Sequence, residues 1–169
     1  MAEELLVNRV ATSGLLTLNL EEWFPAEEIV AFDLKNYLFK ELILKEKDFR
    51  EALAAHDWAQ YTDKNLALFC SADAIVPSWA FMLVAIKAAP FAKKIGHCRP
   101  EQFIEFAYQH ALAQLDVTAY IDKRIVIKGC SQKPVPVSAY VELARLLTPV
   151  AKSIMYGEPC STVPLYKKK

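Results

Sequence analysis

Cys70, Cys98, Cys130 and Cys160 stand 28, 32 and 30 residues apart. A strand–helix–strand unit takes about 30 residues, so a thiol recurs once per unit. Each also falls at the carboxyl end of a predicted strand, the edge where open α/β sheets bind their ligands. Thiolates gathered there suit zinc, iron or an iron–sulfur cluster. Cys70, Cys130 and Cys160 are each followed by a serine, although the chain has only seven serines. A hydroxyl beside a thiolate can donate a hydrogen bond to sulfur and tune a bound metal, the supporting role expected of Ser71, Ser131 and Ser161. Three of the four glycines, Gly96, Gly129 and Gly157, lie just upstream of a cysteine, where a sharp turn brings backbone close to a ligand.

The metal set expected from this pattern is Cys70, Cys130 and Cys160, completed by Asp73, three residues after Cys70. Glu158, His56 and Cys98 are additional candidates; Cys98 lacks the serine and sits on the weakest strand. His56 lies on an apolar helical face and reads first as a core histidine. His97 adjoins Cys98, and no two histidines stand at metal-ligand spacing. Two other readings stand beside this one. Free cysteine is among the most buried residue types, so all four can simply pack. Alternatively Cys130 or Cys160 is a nucleophile, with only Lys128 and Lys133 near Cys130 to depress its pKa. The chain has no Gly-rich phosphate loop, no G-x-S-x-G elbow and no CxxC pair, so no nucleotide cofactor, hydrolase chemistry or thioredoxin-type redox is expected.

The elements that must position these residues are legible in the pattern. Residues 15–20 and 28–32 flank Pro25 and predict two strands joined by a turn, antiparallel at the sheet edge. Residues 38–44 form a further apolar segment. Phe49, Ala52, Leu53 and His56 mark one face of a helix beginning at Glu46. After Tyr61, strands are expected at 65–70, 94–98, 124–128 and 153–156. Helices are expected at 78–89, 101–115 and 138–147, with Ser78 and Ser138 as N-caps. Such alternation predicts a mostly parallel sheet with helices on both faces. Cys70-Ser71 and Cys130-Ser131 are each followed by a proline-bearing loop and a serine eight residues after the cysteine, as though one strand–loop–helix were built twice.

A chain of 169 residues, 54% hydrophobic and 24% charged, is expected to form one α/β domain. Its parts are a strand-rich stretch over 1–45, repeated βα units over 62–160 and a tail over 161–169. Twenty basic and twenty acidic residues cancel, which argues against a nucleic-acid binder held by bulk charge. The balance hides a split of −6 over residues 1–57 and +6 over 58–169, which leaves a homo-oligomer open. No apolar run approaches the ~20 residues of a bilayer span, so no membrane partner is expected. A cytoplasmic location follows, where thiols stay reduced and metal binding is favoured over disulfides.

Several stretches together resemble a known family. They are Val7-Asn8-Arg9-Val10-Ala11-Thr12-Ser13-Gly14, Lys45-Glu46-Lys47-Asp48-Phe49-Arg50, His56-Asp57-Trp58 and Cys70-Ser71-Ala72-Asp73-Ala74-Ile75-Val76-Pro77. Lys128-Gly129-Cys130-Ser131, Ser138-Ala139-Tyr140-Val141-Glu142-Leu143 and Gly157-Glu158-Pro159-Cys160-Ser161-Thr162-Val163-Pro164 complete the set. Over nearly the whole chain they resemble the bacterial domain-of-unknown-function family 2480. That family has no assigned activity. The resemblance implies a gene-neighbourhood link to the sulfur-mobilisation route of iron–sulfur cluster assembly, hence iron–sulfur assembly proteins as partners, and favours a cluster over plain zinc.

Overall fold

The computed structural model describes residues 14–129, 132–158 and 161–169. Among the described residues, seven strands and four α-helices, with short 3-10 turns, make a mixed α/β protein with two sheets. The strands are β1 (Leu15–Asn19), β2 (Ile29–Asp33), β3 (Asn65–Phe69), β4 (Lys94–Gly96), β5 (Arg124–Lys128), β6 (Ser153–Glu158) and β7 (Ser161–Lys167). The helices are α1 (Glu46–Ala55), α2 (Ser78–Ala88), α3 (Phe103–Ala113) and α4 (Val137–Leu147). No helix among the described residues is long and apolar enough to cross a membrane.

By contacts the chain divides into two compact units: residues 25–106, and residues 1–24 with 107–169. The first holds a three-stranded, all-parallel sheet in the order β2-β3-β4. The second holds the order β1-β5-β6-β7, parallel except for the closing β6–β7 pair. The expected antiparallel edge of β1 and β2 is therefore corrected. The two strands lie in different sheets, and each pairs parallel with a strand far along the chain. Pro25 does mark a break, but the chain leaves one sheet there rather than turning back along it. The antiparallel pair is at the other end of the sequence, where residues 161–167 form β7 instead of a tail.

Local sequence accounts for most of these elements. Ile125, Val126 and Ile127 are consecutive and all buried, as a strand covered on both faces requires. In α4, Ala139, Leu143 and Leu147 recur every four residues and are buried, while Val141 and Arg145 on the other side are exposed. In α1, Phe49 and Leu53 form the buried stripe, and the Glu46–Arg50 pair lies outside it at 2.8 Å.

The two units are built to one plan. β1 pairs with β5 from Leu15↔Arg124 to Asn19↔Lys128, and β2 pairs with β3 from Ile29↔Asn65 to Asp33↔Phe69. Arg124 lies 59 positions after Asn65, and the next pairing, Asn65↔Lys94 against Arg124↔Ser153, keeps that spacing. The turns entering β3 and β5 each carry an aspartate in the left-handed region, Asp63 (φ 58°) and Asp122 (φ 54°). Their amides donate to Phe91 O and Val150 O at 3.1 and 2.9 Å. Ala80 N donates to Pro77 O as Ala139 N does to Pro136 O, both at 3.0 Å. The duplicated segment begins a helix earlier, since buried Phe49 and Leu53 of α1 match buried Tyr108 and Leu112 of α3.

The sequence echo is thus a structural repeat, but with a spacing of 59 rather than the 60 that matches cysteine to cysteine. Gly129, not Cys130, is the counterpart of Cys70. The helix caps change as well. Pro77 and Pro136 hold the N-cap positions, neither with a side-chain cap bond, and Ser78 and Ser138 fall inside the first turn. Proline is suited to these positions because its fixed φ sets the entry into the helix.

Candidate functional site

In the unit of residues 25–106, the carboxyl edge of the sheet is organised by Asp33. Its Oδ1 accepts from Lys35 N at 2.9 Å and from Ser71 N at 3.0 Å, and its Oδ2 accepts from the Ser71 hydroxyl. Burial raises the Asp33 pKa. The bonds from Ser71 and from the Lys35 amide, with the Lys35 charge, outweigh that and hold it below the usual carboxylate range. The loop after β3 is therefore pinned to the turn after β2. The Cys70 thiol is half-buried, donates weakly to Ala72 O at 3.8 Å and packs against the core of this unit. Ser71, expected to support that sulfur, spends its hydroxyl on Asp33. Asp73 is exposed and has no ion-pair partner among the described residues.

Replacing Asp33 by Ala releases two amides and a hydroxyl from one partly exposed carboxylate. The expected loss is about 1–2 kcal/mol at neutral pH, discounted for solvent screening, in chemical denaturation. Because the folded-state pKa is depressed, this stabilisation is complete above the ordinary aspartate pKa of about 3.9 and disappears as pH falls through the lower folded value. The wild type and Asp33→Ala should then converge in stability at acid pH. A gap that persists there undiminished would refute an electrostatic role.

His56 has a structural setting. Its Nε2 lies 2.9 Å from the Tyr61 hydroxyl and its Nδ1 3.4 Å from that of Tyr37, and its ring meets Trp58 edge-on at 4.7 Å. Burial lowers its pKa against a smaller upward pull from Asp57. The Tyr61 hydroxyl is pushed up to about 12, first by burial and then by Tyr37 and Asp57. The imidazole is half-buried between two tyrosine hydroxyls, a position that satisfies its ring nitrogens within the protein. Cys98 is half-buried and free, and burial, followed by Glu101, raises its pKa. That is the opposite of what a reactive thiolate needs. The His97 ring packs edge-on against Phe81 at 4.8 Å.

In the other unit, a buried glutamate does the work of Asp33. Glu21, in the turn after β1, accepts from Gln132 N at 2.7 Å and from Lys133 N at 3.4 Å. Tyr108 donates to Leu20 O at 2.7 Å. Lys133 reaches Glu21 O at 3.4 Å and lies 5.5 Å from the Phe24 ring centre. Lys128 pairs with Glu158 at 3.2 Å. Both lysines named as thiol activators are thus engaged elsewhere.

Cys130, Ser131 and Cys160 lie outside the described residues, but their flanks are described. Gly129 has φ 143°, and a Cβ there would sit 3.0 Å from Leu20 Cβ and 3.1 Å from Leu20 N. Gly157 has φ 119°, and a Cβ there would fall 2.7 Å from Ser161 O. Both glycines are required by backbone geometry. Ser161 is exposed at the start of β7 and pairs in register with Glu158. β5 and β6 are parallel neighbours, so their carboxyl ends, at Lys128 and Glu158, share one edge of the sheet. Among the described residues no group of three or more His, Cys, Asp or Glu side chains is placed to hold a metal ion.

The sequence reading missed Asp33 and Glu21, which organise the two loops. Asp33 had a signal, a polar residue closing a strand before a leucine, as in Asp33-Leu34; Glu21, two residues past the strand end at Asn19, had none. It also missed a groove of about 550 Å³ lined by Gln109 of α3 and by Val137, Ser138, Val141 and Glu142 of α4.

Fold and site together define a mixed α/β protein of two like-built units, with loops pinned by carboxylates at the carboxyl edges of its sheets. The chain belongs to the family described as protein of unknown function DUF2480, which it matches over residues 4–168. No curated protein and no solved structure matches it.

Proposed function

We propose that this protein is an accessory in metal or iron–sulfur handling that holds its cargo through the thiolates of Cys130 and Cys160. One observation carries the reading: β5 and β6 are adjacent parallel strands, tied at their ends by the 3.2 Å Lys128–Glu158 pair. Cys130 follows β5 by two residues, as Cys160 follows β6, so chain connectivity allows both thiols to reach one edge. Gly129 and Gly157 give the backbone its turns just before them. Glu158 carries a carboxylate two residues before Cys160, which a metal would have to share with Lys128 at 3.2 Å, while Ser131 and Ser161 are available to support sulfur. Two thiolates with a carboxylate suit zinc or a labile iron site, and an incomplete shell suits cargo that must be released. The partners that fit are proteins supplying or receiving iron–sulfur clusters, in a reducing compartment that keeps the thiols unpaired.

Cys70 and Asp73 belong to the other unit and are not needed by this reading. The core contacts of Cys70 and the commitment of Ser71 to Asp33 favour packing for that pair. The test is metal analysis and visible spectroscopy of the full chain purified without oxygen. About one metal ion or cluster per chain is expected, falling at least about tenfold in Cys130→Ser or Cys160→Ser and unchanged in Cys70→Ala. Trace metal in the wild type, or full loading in the Cys130→Ser/Cys160→Ser double variant, overturns the proposal.

A further inference from the structure

The segment between β2 and α1 carries a surface that the thiolate reading does not use. Phe39 and Ile43 are joined by reciprocal backbone bonds, Phe39 N to Ile43 O at 2.8 Å and Ile43 N to Phe39 O at 3.2 Å. The tip between them holds Lys40 (φ 53°) and Glu41 (φ 58°) consecutively in the left-handed region, where glycine is the usual occupant. This conformation presents Phe39, Leu42 and Ile43 to solvent at 46%, 62% and 61% exposure. Three neighbouring large apolar side chains at a strained tip cost solvation and backbone energy together, the combination found where a surface is kept for contact.

Beside the tip lies a groove of about 240 Å³ lined by Tyr37, Phe39, Phe49 and Ala52, with Lys45 and Asp48 on its polar side. It is smaller than the ~300–1,000 Å³ of a site for a whole small ligand and suits one inserted side chain. Lys45 and Lys40 stand over the Phe39 ring at 3.7 and 5.5 Å from its centre. Neither lysine has an ion-pair partner among the described residues, whereas nearby Lys35 is paired with Glu41, Arg50 with Glu46 and Lys47 with Glu51. Two unneutralised cations on an apolar tip complement carboxylates that are themselves next to apolar groups.

We propose that the hairpin and its groove dock an acidic–aliphatic peptide segment of a partner protein. The partner's carboxylates meet Lys40 and Lys45, and one aliphatic or aromatic side chain enters the groove. The surrounding charge selects this occupant over an anionic bilayer or a nucleic acid. Asp48 stands at the groove, and residues 25–57 of the same unit carry eight acids and five bases, a net −3, so a continuous sheet of negative charge is repelled while two placed carboxylates are not.

The test is selection of a random heptapeptide display library on the full chain. The expected consensus has one or two acids within about three residues of Leu, Ile or Phe. The consensus peptide should bind at least about tenfold more weakly to Lys40→Glu/Lys45→Glu and to Leu42→Ser, as measured by fluorescence anisotropy. These positions are exposed, so the melting temperature should not move, and Lys40→Gln/Lys45→Gln separates charge removal from charge reversal. Absence of a consensus overturns the proposal, as does binding indifferent to the lysine substitutions. It is equally overturned by binding to phosphatidylserine vesicles without peptide binding, or by a dimer in light scattering that Lys40→Glu/Lys45→Glu dissolves, which would make a second copy the occupant.

Discussion

Phe49→Ala is expected to cost about 3–5 kcal/mol, the range for truncating a fully buried phenylalanine. Phe49 is 1% exposed and lies in the core cluster of the 25–106 unit. Its ring meets Tyr37 edge-on at 5.5 Å and Trp79 at 6.0 Å, so truncation removes two aromatic contacts as well as buried area. Tyr37 in turn stacks on Phe32 at 5.2 Å, and Phe32 stacks on Trp58 at 5.8 Å. The cavity therefore opens inside a ring network that cannot collapse without turning several planes. For a chain of this length the loss corresponds to a fall of roughly 6–20 °C in melting temperature. Phe49→Leu, which refills most of the volume, should recover more than half of it. A loss below about 1 kcal/mol for the alanine variant would mean that α1 is not held by this face.

Gly129→Ala is expected to cost about 2–4 kcal/mol, though it adds a single methyl group. At φ 143° an L-residue is strained whatever the space around it, a cost on the order of 1–3 kcal/mol. The added Cβ would also press on Leu20 Cβ, Leu20 N and Glu21 N at 3.0–3.2 Å, two of them backbone atoms of a turn that cannot swing aside. Leu20 is fully buried and its carbonyl accepts from Tyr108, so relief by moving that turn disturbs the core as well. Urea denaturation of the variant measures the loss. Stability within about 0.5 kcal/mol of wild type would show that the turn is free to yield. In the proposed metal site the same substitution should also lower metal content, because Gly129 immediately precedes Cys130.

Much of the secondary structure was legible because it rests on local periodicity. Arg124-Ile125-Val126-Ile127-Lys128 reads as a buried strand from its β-branched run alone, and β5 spans those residues. The α4 stripe of Ala139, Leu143 and Leu147 is visible as a helical repeat before any packing is known. Pairing was not legible. Residues 15–20 and 28–32 are close in sequence and look like a hairpin. Yet β1 chooses β5, more than a hundred residues on, because two parallel strands cannot be joined by a short turn. β7 went unread because Pro164 and the lysines at the chain end resemble a solvated tail; proline is tolerated there because β7 is the last strand of its sheet.

The cysteines show the same limit from the side of function. Their spacing made Cys70 and Cys130 look equivalent, since a serine follows each. Strand register instead matches Phe69 with Lys128, so Cys70 and Gly129 are the first residues past their strands, and Ser71 bonds to Asp33. Equivalence is set by hydrogen-bond register and not by residue type.

By itself, then, the sequence determined the family, the α/β class, the positions of most helices and strands, and the recurrence of a strand–loop–helix plan. Those properties depend on contacts within a few residues or on patterns that repeat along the chain. Only the tertiary structure decided that there are two sheets, that β1 at residues 15–19 pairs with β5 at residues 124–128, and that Asp33 and Glu21 anchor the loops at the sheet edges. Each of those facts joins residues tens of positions apart through directional bonds, and composition and spacing carry no record of direction.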